Sequence, residues 1–349
     1  MQIMGVKLMS RTSLLVLALL GCVFTFVVTA ADPHTFDLKP TTTFDSGLHA
    51  TAREVRFSAN GKTVAKACES VGLEVWDLTT GKLLGGSEDG KSPAPSDQLA
   101  VSPDGRVAYI GLSDKVLIWD CISEKLSATI GSQGKRTTAT EITAIALHPD
   151  GKCLALALEK GGVQIWDSAT NKRRSRLEAT GKVWAVAYSG DGRFLVGRGD
   201  HGALVWDAKT EKLLHEFKTK GRGPDDPIIP FNFRSRVAAS PDGKWVAFGT
   251  WRGRFSVWSV ADAKEVATVP GKLAEFSGDG KYLYVLDRDR RENELTVFDL
   301  ATLKPAGVAK LTVWLTHCMA VSPDGKTLAT GDDLGVIRLY CTKDLLPSK

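Results

Sequence analysis

Short apolar stretches, several alternating with polar positions, recur along this chain and are separated by tight polar turns. The clearest unit runs from residue 143 to 177. Thr143-Ala144-Ile145-Ala146-Leu147 reads as a strand of small and branched apolar residues. His148-Pro149-Asp150-Gly151 then reverses the chain. Proline presets φ near about −65°, aspartate bonds nearby backbone and glycine accepts positive φ. Cys153-Leu154-Ala155-Leu156-Ala157 is the return strand, and Lys160-Gly161-Gly162 turns again. Val163-Gln164-Ile165-Trp166-Asp167 follows as a third strand, and a fourth begins at Arg174-Ser175-Arg176-Leu177.

This unit is repeated. Gly-tipped turns end at Gly61, Gly105, Gly151, Gly192, Gly243, Gly280 and Gly325. Aromatic residues close the third strands at Trp76, Trp119, Trp166, Trp206, Trp258, Phe298 and Tyr340, with spacings of 43, 47, 40, 52, 40 and 42. A period of that size marks a repeat architecture. A four-stranded sheet this small, apolar on both faces, must be covered twice. Stacking seven of them radially buries each between two neighbours and leaves short outer edges. The expectation is an all-β, seven-bladed β-propeller of four-stranded antiparallel blades. Glycine and proline break the chain too often for a helical fold, and a two-sheet sandwich needs no repeats of fixed length.

Val163-Gln164-Ile165-Trp166-Asp167, Leu117-Ile118-Trp119-Asp120 and the run Ser322 to Asp332 carry a resemblance. Over roughly residues 50 to 345 the chain resembles the WD-repeat β-propeller family, as a divergent, exported, bacterial-type member. The Gly-His pair that opens many repeats of that family is missing, with Gly47-Leu48-His49 the nearest trace. The family's internal His–Ser–Asp–Trp hydrogen-bond network therefore lacks its histidine here. The resemblance also implies that an N-terminal strand completes the last blade, so a segment within 35–46 is expected to pair with 336–341.

The first 30 residues stand apart. Lys7 and Arg11 precede an apolar run from Leu14 to Val28, and Val28-Thr29-Ala30 supplies small residues before the polar Ala31-Asp32. That is the pattern of a cleavable export signal. An uncleaved membrane anchor competes with it, because the run approaches the length that crosses a bilayer. A third reading is lipidation at Cys22 within Leu19-Leu20-Gly21-Cys22, although the apolar residues after it are unlike a lipoprotein tether. Residues 31–349 are then one domain, since seven repeats use nearly all of it. The expected location is extracytoplasmic, periplasmic or secreted, with attachment through residues 14–30 as the alternative.

The chain carries a formal net charge of +5, too mild to imply a nucleic-acid partner. Cys68, Cys121, Cys153, Cys318 and Cys341 lie in different repeats without metal, haem or redox spacing, and read as thiols used as small apolar residues. Gly197 to Gly202 fits GxGxxG, but it precedes a strand where a dinucleotide site needs a helix. The Arg198-Gly199-Asp200 tripeptide inside it reads as part of a blade turn, and His148 as a turn residue in place of serine. GxSxG, HExxH, P-loop and calcium-loop patterns are absent from the sequence.

Candidate binding residues fall in the connections of the fourth to sixth repeats. Lys220 and Arg222 lie in a long proline-bearing segment, Trp251, Arg252 and Arg254 in repeat five, and Arg288, Arg290 and Arg291 in repeat six. On one rim of a propeller these eight side chains would crowd two sectors and suit an anionic partner. The leading expectation is a monomeric, non-catalytic protein-interaction scaffold without cofactor or metal, binding other proteins and no nucleic acid. It would meet a membrane only through its N-terminal segment. The alternative is a propeller enzyme (a lactonase-like hydrolase or a quinone-dependent dehydrogenase) or a small-ligand sensor at the channel mouth. The polar residues of the first strands, Glu54, Arg56, Arg236, Glu275 and His317, are the groups such a site would use.

Overall fold

The computed structural model describes residues 35–47, 49–68, 72–86, 98–131, 141–219, 236–250, 253–289, 292–311 and 315–346, all within the unit Pro33–Lys349. They form seven antiparallel blades. Blade 1 is built from Ala52–Phe57, Thr63–Cys68, Gly72–Asp77 and Leu83–Gly86. Blade 2 has Leu99–Val101, Val107–Gly111, Lys115–Asp120 and Lys125–Gly131. Blade 3 has Ile142–Leu147, Cys153–Leu158, Val163–Asp167 and Lys172–Leu177. Blade 4 has Val183–Tyr188, Phe194–Gly199, Gly202–Asp207 and Leu213–Lys218. Blade 5 has Val237–Ala239, Trp245–Gly249, Arg254–Ser259 and Lys264–Pro270. Blade 6 has Leu273–Phe276, Tyr282–Asp289, Glu292–Asp299 and Lys304–Leu311. Blade 7 contributes Thr316–Val321, Thr327–Asp332 and Ile337–Cys341. The first strands of successive blades touch in a continuous cycle, blade 7 against blade 1 included.

The outer strand of blade 7 comes from the other end of the chain. Thr42–Phe44 pairs antiparallel with Ile337–Cys341, setting Thr42, Thr43 and Phe44 opposite Leu339, Arg338 and Ile337. Phe44 is buried in the cluster between blades 7 and 1, with Val55, Val64, Trp76, Ile337 and Leu339. The expected closure is therefore made, and by an interlock of the two ends. A second N-terminal strand, Thr35–Leu38, is strand-like in composition, but its place was not expected. It adds in parallel to the outer edge of blade 6, giving that sheet five strands, with Asp37 opposite Lys310 and Leu38 opposite Leu311. The edge it covers carries Val308, Ala309 and Leu311, an apolar rim that would otherwise stand open.

The repeated turns share one construction. The serine hydroxyls of Ser58, Ser102, Ser189, Ser240, Ser277 and Ser322 donate to Asn60, Asp104, Asp191, Asp242, Asp279 and Asp324 at 2.6–2.7 Å. The seven turn glycines have φ between 66° and 77°, a region that strains any residue with a Cβ. In blade 3, His148 replaces the serine, with Nδ1 2.7 Å from Asp150 Oδ1 and Nε2 3.0 Å from the Gly192 carbonyl of the next blade.

Candidate functional site

Most carboxylates that recur along the repeats are occupied by local backbone. Asp77, Asp167 and Asp207 each accept the N–H and hydroxyl of a threonine three residues on. Those bonds hold all three below the ordinary aspartate range. The Ser102 and Ser322 hydroxyls do the same for Asp104 and Asp324. These groups are turn hardware, and they leave the chemistry to other residues.

Two of the eight rim candidates have a described backbone. Arg254 opens the third strand of blade 5, is exposed, and donates from Nη2 to the Thr268 carbonyl at 3.1 Å. Arg288 lies near the end of the second strand of blade 6, opposite Asn293. Both positions belong to the same end of adjacent blades, where second and third strands join. Lys220, Arg222, Trp251, Arg252, Arg290 and Arg291 lie outside the described residues. Asp287, an acidic neighbour in that sector, faces Lys272 at 3.7 Å.

The polar residues of the first strands are brought together. Arg56 Nη1 of blade 1 is 2.5 Å from Glu54 Oε1 and 3.9 Å from Glu275 Oε1 of blade 6. Arg236, beside the first strand of blade 5, donates to the His317 carbonyl of blade 7 at 2.6 Å. Each long contact leaps an intervening blade, which is open to groups that face the ring axis. Glu275 keeps 31% of its side chain exposed yet is hemmed in by the channel wall. Desolvation there, helped by Glu54 and opposed by Arg56 and Arg236, raises its carboxyl to about 7. The result is a mixed-sign cluster, able to pair with a small ligand bearing a carboxylate or a cation. Cys318, behind it, is buried against the Ala52 carbonyl at 3.5 Å, and burial pushes its thiol up, away from thiolate. Cys68 and Cys121 are likewise buried, with thiols raised to about 11 and about 12 by desolvation.

A second charged pair escaped the sequence reading. Lys66 and Glu74, 2% and 1% exposed, meet at 2.8 Å on adjacent strands of blade 1. Lys66 Nζ also donates to the Gly335 carbonyl of blade 7, while Glu74 accepts from Ser46 Oγ at 2.7 Å and Trp76 Nε1 at 3.3 Å. Similarly Trp166 and Trp258 bond to Gln164 and Ser256 at 2.9 and 2.7 Å. Where the resemblance implies a histidine-based network, these indoles use the residue two positions earlier. The signal was a lysine inside Val64-Ala65-Lys66-Ala67-Cys68, facing a glutamate in the next strand.

The GxGxxG pattern also has a packing explanation. A Cβ on Gly197 would come within 2.8 Å of the Trp206 ring, and one on Gly202 within 1.7 Å of the Phe217 carbonyl oxygen. Arg198 is buried, donating to the carbonyls of Gly249 and Gly202, and Asp200 accepts from Trp184 Nε1 at 2.7 Å. The Arg-Gly-Asp tripeptide is thus engaged in blade packing. Among the described residues, no group of three or more His, Cys, Asp or Glu is arranged to hold a metal ion, and no helix is long and apolar enough to cross a membrane.

The turn construction, the aromatic third strands and the closed ring define a class: seven-bladed β-propellers built from one repeated four-stranded unit. Comparison with known proteins agrees. Residues 171–207 and 311–341 match the family described as WD domain, G-beta repeat. Autophagy-related protein 16 of Arabidopsis thaliana is 25% identical over 240 residues, 66% of this chain and 44% of its own length. SEC12-like protein 1 of the same plant is 24% identical over 247 residues, covering 66% of this chain and 60% of the relative. Protein groucho of Drosophila melanogaster is 23% identical over 252 residues, 68% of this chain and 31% of groucho. These matches support a WD-repeat propeller. The chain spans less than two thirds of the length of each of these relatives, and all three are eukaryotic, which lends no support to a bacterial origin.

Proposed function

We propose that this protein is a non-catalytic interaction scaffold that presents loop surfaces from a stiff ring to other proteins. The observation that carries the reading is the closed seven-blade frame, in which the repeated polar residues are consumed by turn and blade–blade hydrogen bonds. Loops held on such a frame lose little entropy on binding. The binding rim is the end of blades 5 and 6 that bears Arg254 and Arg288, joined by Lys220, Arg222, Trp251, Arg252, Arg290 and Arg291 from the adjoining segments, and its partner is acidic. Export through residues 1–30 completes the proposal and is supported by the sequence pattern alone. N-terminal sequencing of the purified protein and cell fractionation test it.

Charge reversal at Arg252, Arg254, Arg290 and Arg291 should abolish co-purification of the partner captured by the wild-type protein, with an unchanged melting temperature. Full retention of that partner removes the rim assignment. A second reading, a small ligand held in the channel, is favoured by the convergence of Glu54, Arg56, Arg236, Glu275 and His317. A melting temperature that rises with small carboxylates or guanidinium compounds, and no longer does so in Arg56→Ala, is the expected sign of it.

A further inference from the structure

The outer strand of blade 3, Lys172–Leu177, reads Lys-Arg-Arg-Ser-Arg-Leu, and all four of its cations are exposed. Arg174 and Arg176 keep 53% and 43% of their side chains exposed and reach acids only at 3.8 Å (Glu211) and 3.3 Å (Glu178). Lys172 and Arg173 have no ion pair among the described residues. Among the described residues no further strand pairs with the outer edge of this one. Cations on an edge repel a second edge and so protect against aggregation. The other blades whose outer strand has no described neighbour carry far fewer: those of blades 2, 4 and 5 each have one lysine, accompanied by a glutamate in blades 4 and 5, and that of blade 1 carries no charge.

The molecule itself shows what such an edge accepts. On blade 6, Thr35–Leu38 adds in parallel to Lys304–Leu311, with Asp37 opposite Lys310; Glu178 takes the place of Lys310 in blade 3, so the geometry of the addition carries over and that charge pair does not. Counted from the aromatic that closes the third strand, Arg176 stands where Val308 stands, at the first pair of that added strand. A strand entering blade 3 in the same sense would run its preceding residues past Lys172, Arg173 and Arg174. We infer that the outer edge of blade 3 binds an extended peptide by parallel strand addition, and that acidic residues precede the paired segment. This extends the interaction reading to a surface apart from the rim of blades 5 and 6. Main-chain hydrogen bonds supply part of the affinity and the charges supply direction.

The test uses a fluorescein-labelled octapeptide of four glutamates followed by alternating valine and threonine, followed by anisotropy with the full chain. Saturable binding is expected, weakened at least tenfold when alternate amides of the Val/Thr half are N-methylated. The same loss is expected in an Arg173→Glu/Arg176→Glu variant that melts like the wild type. Lys125→Glu, on the outer strand of blade 2 and apart from the rim, should leave the affinity unchanged, and capture through the rim is read by co-purification, so the two sites fail separately. Equal binding of the N-methylated peptide would show a diffuse polyanion surface and overturn the proposal. So would undiminished binding to the double variant, or competition by a single-stranded oligonucleotide as strong, charge for charge, as by the peptide.

Discussion

Truncating Phe44 to alanine isolates the interlock that closes the ring. Phe44 is 5% exposed, and its ring stacks on Trp76 with centroids 5.2 Å apart. Its backbone pairs with Ile337, so the side chain joins three separate parts of the chain. Removing a buried phenylalanine costs about 3–5 kcal/mol, including the void left behind. Unfolding entropy near ~2.1 cal/mol/K per residue gives roughly 0.63 kcal/mol/K for about 300 folded residues, so the melting temperature should fall by about 5–8 °C. Thr43, the next residue on the same strand, is exposed, and Thr43→Ala should change stability by less than about 1 kcal/mol. Differential scanning calorimetry of both variants checks the reasoning. Equal, small shifts for Phe44→Ala and Thr43→Ala would refute closure by this strand, and so would unchanged melting after deletion of residues 31–46.

Three further outcomes follow from the buried and titrating groups. Glu74→Ala leaves Lys66 uncompensated between blades 1 and 7 and should cost about 3–5 kcal/mol in urea unfolding; a Lys66→Met/Glu74→Leu double variant should lie closer to the wild type than Glu74→Ala does. Because the turn aspartates Asp77, Asp104, Asp167, Asp207 and Asp324 are held below their unfolded range, their contribution is present above about pH 4 and is lost as pH falls through their folded values. Melting temperature against pH should therefore drop in acid, and a profile flat to pH 2 contradicts the turn assignment. Glu275 behaves oppositely: its carboxyl, raised to about 7, binds a proton more tightly in the folded state, so its contribution falls as pH rises from about 4.3 towards 7. Carbon-13 NMR should place its midpoint near neutrality, and an ordinary glutamate value rejects a desolvated channel.

Repetition made the architecture legible. Seven turns of one chemistry and seven aromatics at a common spacing specify blade number, strand order and the sense of each hairpin, because each follows from residues close in the chain. Closure by the segment 35–46 was also readable, since blade 7 has only three strands of its own. The parallel strand Thr35–Leu38 was not: four residues carry no register, and only the apolar edge of blade 6 selects their place. The basic strand Lys172–Leu177 was visible as residues, but its place as the outermost described strand of blade 3 was not.

The channel cluster was foreseen as a roster of polar first-strand residues and nothing more. Arg56 and Glu275 are 219 positions apart, and only the ring brings them within reach of one another. The same holds for Lys66 and the Gly335 carbonyl, joined where the two ends of the chain meet. Local chemistry, written in turns and alternation, belongs to the sequence by itself. Partnerships between distant charges, and the shifted proton affinity of Glu275, were decided by tertiary structure, because desolvation and distance exist only once the blades stand side by side.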